Sequence, residues 1–200
     1  GTGQDISLLT LVQMGAMYAP LVQGPADLYR FVAPMFLHMD VMHLLFNMVA
    51  LYSVGELLER VLGRGNFLLL YFVAGITGNV VSYAADMAQG GGNAVSAGAS
   101  TSVFGLFVAV ALLCVLVRGN RAIFRDFSKS MLSIIAVNVA YTLLVPSVSI
   151  SGHLGGAVGG AIAMLLLPAV SLRTPRAVRV IVAVLWVVGV AATLVWGGVF

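Results

Sequence analysis

The chain has 200 residues, 60% of them hydrophobic and 8% charged, with mean hydropathy +1.06. A soluble domain carries about 25% charged residues, so this composition excludes a protein that covers itself in water. The net charge of +3 comes without a basic cluster interleaved with aromatics, which excludes a nucleic-acid partner, and the single Cys114 excludes an intrachain disulfide.

A helix needs ~20 mostly apolar residues to cross a bilayer core of about 30 Å. Along the chain, the first apolar stretch, 6–22, is short and carries Gln13 and Pro20. We read it as an interfacial, partly helical loop lying on the outer leaflet. Six further stretches read as spans: 35–56, 66–86, 99–117, 131–149, 152–170 and 178–198.

The basic residues orient these spans. Arg60 and Arg64 follow the first span. Arg118, Arg121, Arg125 and Lys129 follow the third, and Arg173, Arg176 and Arg179 follow the fifth. Only Arg30 lies elsewhere. Positive charge collects on cytoplasmic connections, so these three connections face inward. The loop 89–97 and the turn near 146–151 then face outward, and the first, third and fifth spans run from outside to inside.

Ionisable groups inside spans are costly and are functional candidates by default. All three histidines, His38, His43 and His153, fall in or beside spans. His43 and Asn47 are four residues apart, on one face of the first span. Ser100 opens the third span and His153 the fifth. Four polar groups from three helices therefore gather at one depth near the outer face. Singly, an intramembrane serine bonds its own helix carbonyl, and an asparagine or histidine ties helices together. Together, a serine and a histidine suffice for acyl transfer: the imidazole takes the hydroxyl proton and later returns it to the leaving amine. A buried amide such as Asn47 suits the developing oxyanion.

Glycines complete the pattern. Gly152, Gly156 and Gly160 stack at four-residue spacing, as do Gly155 and Gly159. Such faces let helix backbones approach closely. We expect Gly156 and Gly160 to face the third span and to bring His153 within reach of Ser100. Gly98, two residues before Ser100, permits a tight entry into that helix. Gly90-Gly91-Gly92 makes the loop 89–97 the expected cap over the cavity.

These stretches resemble the rhomboid family of intramembrane serine proteases. Residues 36–48, with His38, His43 and Asn47, resemble its histidine–asparagine motif. Gly98-Ala99-Ser100-Thr101-Ser102-Val103-Phe104-Gly105 resembles its nucleophile motif, and Gly152-His153-Leu154-Gly155-Gly156 its base motif. Gly55, Glu59 and Gly63 resemble its glycine-and-glutamate signature, and Tyr29-Arg30 stands where many members have Trp-Arg. The match runs over about residues 8–165. One departure is Thr101, where many members have glycine.

The resemblance implies an all-α, polytopic transmembrane bundle and a Ser–His dyad without an aspartate. Ser100 would attack and His153 would be the base. His43, Asn47 and the backbone N–H of Ser100 would form the oxyanion hole, Phe104 would pack on the histidine, and Gly98 and Gly156 would support the arrangement. It implies cleavage of transmembrane segments of other membrane proteins, in a cell membrane, near the outer face, with the lipid bilayer as solvent and no cofactor. We expect 1–34 to be an outer loop with interfacial helices, 35–170 the catalytic core, and 171–200 a cytoplasmic link and an added C-terminal span. On this reading the chain lacks the family's first transmembrane helix. The rival readings are an inactive rhomboid-like factor that binds membrane proteins and a transporter with a polar path. A zinc site is disfavoured, because the chain has neither a His-Glu-x-x-His pattern nor a cysteine pair.

Overall fold

A computed structural model of the chain describes residues 6–92, 94–118, 121–130, 132–144 and 149–200. Among these residues the fold is all-α. The helices are α1 (Leu8–Gln13), α2 (Val41–Leu62), α3 (Arg64–Ala88), α4 (Ser100–Leu116), α5 (Arg121–Ser130), α6 (Leu132–Leu144), α7 (Ile150–Leu166) and α8 (Arg176–Trp196). Three of them, α2, α3 and α8, are long and apolar enough to cross a membrane by length and composition. The shorter apolar helices α4 and α7 have 17 residues each, at the lower limit for a span.

Within 6–22 the only α-helix is the six-residue α1, followed by the 3-10 turn Ala19–Leu21. Two further 3-10 turns, Pro25–Phe31 and Ala33–Phe36, lead to α2. Two side chains anchor this layer. The buried Arg30 donates from Nη1 to the carbonyls of Val12 (2.9 Å) and Ala16 (3.0 Å). Asn79 of α3 donates to the Phe31 carbonyl at 2.9 Å.

The first span starts later than its apolar stretch. Prolines 25 and 34 begin 3-10 turns, and the helix starts only where the Asp40 carboxylate accepts the N–H of His43 at 2.7 Å. The helix then runs past Arg60 to Gly63, whose φ of +85° suits glycine and turns the chain into α3. The connection after the third span holds a helix of its own. In α5, Phe124 and Phe127 pack against the core, which helical spacing permits although Arg121, Arg125 and Lys129 lie on the same segment. Residues 145–148, in the turn expected near 146–151, lie outside the described residues.

Packing places α3, α4 and α7 at the centre. The apolar window of α3 is 61% buried and that of α8 only 6%, so α3 is a core helix and α8 a peripheral one. The glycines of α7 divide their work. A Cβ on Gly156 would fall on the carbonyl of Thr101, and one on Gly160 on that of Gly105, both in α4. A Cβ on Gly155 would meet Val81 at 2.6 Å, and one on Gly159 would meet Thr77 at 2.6 Å, both in α3. One helix thus offers two bare stripes to two neighbours.

Candidate active site at one end of the bundle

Helix α4 begins at Ser100 because the chain turns sharply just before it. Gly98 sits at φ +140°, which disfavours a side chain, and its N–H donates to the Pro34 carbonyl at 2.9 Å. A Cβ there would also strike His43, 2.8 Å from Cε1 and 2.9 Å from Nε2, and would lie 3.3 Å from Ser100 Oγ. The missing side chain of Gly98 therefore lets His43 of α2 and Ser100 of α4 flank one point.

Helix α7 brings the histidine. The Ser149 hydroxyl caps it by accepting the Gly152 N–H at 3.0 Å, and His153 lies in its first turn. The contacts of Gly156 and Gly160 with α4 set the spacing of the two helices. Ser100 Oγ then lies 2.6 Å from His153 Nε2. The other ring nitrogen, Nδ1, lies 2.7 Å from Oγ1 of Thr142 on α6. Phe104, one turn along α4 from Ser100, stacks on the imidazole with ring centroids 4.2 Å apart and planes 13° apart. His153 is 5% exposed, so its ring is bonded at both nitrogens and stacked on one face with little water around it.

Helices α4 and α7 run in the same direction. Their N-termini meet at Ser100 and His153. At the other end Arg118 N–H donates to the Ser171 carbonyl (2.7 Å) and Arg173 N–H to the Leu116 carbonyl (2.9 Å). The site therefore occupies one end of the bundle and the basic residues Arg118 and Arg173 the opposite end, the asymmetry expected from the charge pattern.

The oxyanion-hole candidates are distributed as follows. The first backbone N–H groups of any α-helix lack intrahelical acceptors, and Ala99 at the N-cap of α4 supplies no side-chain acceptor. The N–H of Ser100 is thus a donor at the positive end of a helix dipole. Asn47 is buried one turn below His43 on α2. Its Nδ2 donates to the His43 carbonyl at 2.9 Å, leaving one amide hydrogen uncommitted by that bond. His38 packs edge-on against His43, with ring centroids 5.3 Å apart.

Thr101, the departure from the glycine common in the family, points away from Ser100. A Cβ on Gly78 would lie 2.7 Å from Thr101 Cβ, and one on Gly152 would lie 3.4 Å from Thr101 Cγ2. Two bare positions on α3 and α7 accommodate the larger residue.

The loop 89–97 carries three glycines at positive φ, +97°, +75° and +80° for Gly90, Gly91 and Gly92. Its far end is tied down: Ser96 and Met17 exchange two backbone hydrogen bonds of 2.9 Å. A cavity of about 250 Å³ lies beneath it, with Ser82, Asp86, Ser149 and Ser151 among its polar walls. A second groove of about 240 Å³ separates α2 from α6, lined by Phe46, Val49, Ile134, Val137 and Asn138.

The residue that sequence reasoning missed is Thr142. A lone threonine in an apolar stretch carries no signal. Its only mark is Asn138, four residues earlier on the same face of α6.

The chain is similar to known proteins over most of its length. The family model described as the Rhomboid domain matches residues 25–170. "Rhomboid protease GluP" of Bacillus subtilis (strain 168) is 35% identical over 175 residues, covering 88% of this chain and 32% of the relative. "Rhomboid-like protease 3" of Toxoplasma gondii is 33% identical over 153 residues, covering 76% and 56%. "RHOMBOID-like protein 1" of Arabidopsis thaliana is 34% identical over 157 residues, covering 77% and 38%. The chain thus spans about a third to somewhat over half of the length of these relatives. With a helical bundle of apolar segments, and with the family's domain matched over most of the chain, this membrane protein belongs to the rhomboid family.

Proposed function

We propose that the chain is an intramembrane serine endopeptidase that cleaves transmembrane segments of other membrane proteins with a Ser100–His153 dyad. The observation that carries this reading is the 2.6 Å contact between Ser100 Oγ and His153 Nε2 at one end of the bundle. In the proposed reaction Ser100 Oγ attacks the scissile carbonyl carbon while Nε2 takes its proton. The carbonyl oxygen becomes an oxyanion that the Ser100 N–H, the free amide hydrogen of Asn47 and His43 stabilise. The C–N bond then breaks as the imidazolium returns its proton to the leaving amine. Water, deprotonated by the same imidazole, hydrolyses the acyl-enzyme and frees Ser100.

The position of the site suits such a substrate. A peptide bond in a transmembrane helix is shielded by its own hydrogen bonds and by lipid, so it must unwind into a wet place to be cut. A polar cavity beside the N-terminus of α7, lined by Ser82, Asp86, Ser149 and Ser151 rather than by Ser100 or His153, has walls that can hold water close to the dyad's helix. The basic residues at the opposite end argue that the site faces the extracellular or periplasmic side of a cell membrane. Within this reading 1–34 is an outer layer, 35–170 the catalytic core and 171–200 a link with an added span. The proposed chemistry draws on the side chains of Ser100, His153, Asn47 and His43 and on the backbone N–H of Ser100.

The test is cleavage of a model transmembrane substrate, together with labelling by a fluorophosphonate probe in detergent. Ser100→Ala and His153→Ala abolish cleavage while thermal unfolding stays as in the wild type. Asn47→Ala lowers the rate by roughly 10²–10³-fold, the effect of losing one oxyanion donor. EDTA leaves the rate unchanged. Cleavage by Ser100→Ala at the wild-type rate overturns the mechanism. A folded wild-type protein that neither labels nor cleaves supports the inactive, substrate-binding relative instead.

A further inference from the structure

We propose that Thr142 is a positioning residue for His153: its hydroxyl holds the imidazole in the tautomer that leaves Nε2 free to accept the Ser100 proton. The inference rests on the reading of Ser100 and His153 as a catalytic pair, and it adds a third member on a different helix.

The proton positions follow from the hydrogen-bond partners. Thr142 is 6% exposed and His153 5%, so little water competes for their polar atoms. Thr142 Oγ1 lies 2.8 Å from the Asn138 carbonyl, which can only accept, so the single hydroxyl proton is donated there. The same oxygen lies 2.7 Å from His153 Nδ1. With its proton committed, Oγ1 meets Nδ1 through a lone pair, and Nδ1 must carry the hydrogen. A neutral imidazole holds one N–H. Nε2 is therefore bare, and it is the atom 2.6 Å from Ser100 Oγ. In the opposite tautomer Nε2 would hold a proton against the hydroxyl it should deprotonate, and Oγ1 would have to give up its bond to Asn138.

The choice of a hydroxyl has a physical reason. Serine hydrolases in water commonly orient their histidine with a carboxylate. A carboxylate at this depth in a membrane would have to be desolvated at large cost. A threonine already bonded to its own helix orients the ring without adding a charge. Phe104, stacked on the imidazole face, restricts the ring's tilt, and Thr142 specifies which nitrogen carries the proton.

The test has two arms. The first is ¹⁵N NMR of protein labelled at histidine, with the His153 signals assigned by their loss in His153→Ala. The wild type shows a protonated, pyrrole-type Nδ1 and a bare Nε2. In Thr142→Val, which keeps the shape and removes the hydroxyl, that single tautomer gives way to a mixture. Thr142→Ser restores it. The second arm is kinetics on the model transmembrane substrate. Thr142→Val lowers kcat about tenfold, the value of one neutral hydrogen bond, with KM within about twofold of the wild type. Thr142→Ser returns kcat to within about threefold of the wild type. A wild-type His153 protonated at Nε2 overturns the proposal, and this needs no variant to fold. So does a folded Thr142→Val with wild-type tautomer and kcat. The NMR arm requires no turnover, so it judges Thr142 even where Ser100→Ala shows that the proposed reaction is wrong.

Discussion

Helices α7 and α8 are both apolar and lie close in the chain, yet they stand in opposite places. Helix α7 is threaded between α3 and α4 with glycines 152, 155, 156, 159 and 160 all buried. Helix α8 buries only Leu194 and presents Val180, Val184, Val187 and Val188 outward. It is tied to the core by two polar contacts. Trp186 Nε1 donates to Thr77 Oγ1 at 2.9 Å, and Tyr83 OH donates to the Gly197 carbonyl at 2.9 Å. The contrast shows that hydrophobicity puts a helix into a membrane, whereas the absence of side chains puts it inside a bundle. Lipid is as apolar as valine, so burying α8 would gain little; what favours burial of α7 is the close contact its bare stripes allow.

Substitutions that fill or empty these contacts measure the difference. Gly156→Val has the largest expected effect. Its Cβ falls on the backbone of Thr101, which cannot turn aside, and Thr101 directly follows Ser100. We expect destabilisation of at least about 3 kcal/mol, with cleavage lost in parallel; thermal unfolding and the substrate assay together check this. An active, stable Gly156→Val would mean that α7 does not lie against α4 in this register. Gly159→Ala should cost less, about 1–3 kcal/mol, because its Cβ first meets the side chain of Thr77 at 2.6 Å, with the Ala74 backbone at 2.9 Å behind it. Unfolding midpoints of the two variants, taken in one detergent, rank the two stripes.

On the peripheral helix the effects shrink. Trp186→Phe keeps an aromatic ring but loses the bond to Thr77 and part of the indole's packing, so it should cost about 1–2 kcal/mol and leave cleavage within about twofold of the wild type. Gly189→Ala has nothing within 4 Å of its new methyl group. It should leave the stability unchanged or raise it by the ~0.5–1 kcal/mol that alanine gains over glycine in a helix, read from the unfolding midpoint. A large loss from Gly189→Ala would show that α8 packs against something in the membrane, and would weaken the division between core and periphery.

Much of the site was legible because its residues are polar where the surroundings are not. His43, Asn47, Ser100 and His153 stand out in apolar stretches, and the arginines after alternate spans place them at one end. Thr142 has the same chemistry as an ordinary helix-bonding threonine, so only its distance from Nδ1 singles it out. Helix α5 was hidden for the opposite reason: Arg121, Arg125 and Lys129 read as a connection, and Phe124 and Phe127 reveal a packed face only once the neighbouring helices are present.

By itself the sequence determined that the chain lives in a membrane, how apolar segments and basic connections alternate along it, and which helix carries bare stripes. Composition, charge placement and four-residue spacing are local properties, so they can be read without a partner. Tertiary structure alone decided that Gly156 meets α4 and Gly159 meets α3, and that α6 delivers a hydroxyl to the back of His153. Each of these depends on how far apart two helices stand. That distance is set by every side chain between them at once, and no single stretch of sequence contains it.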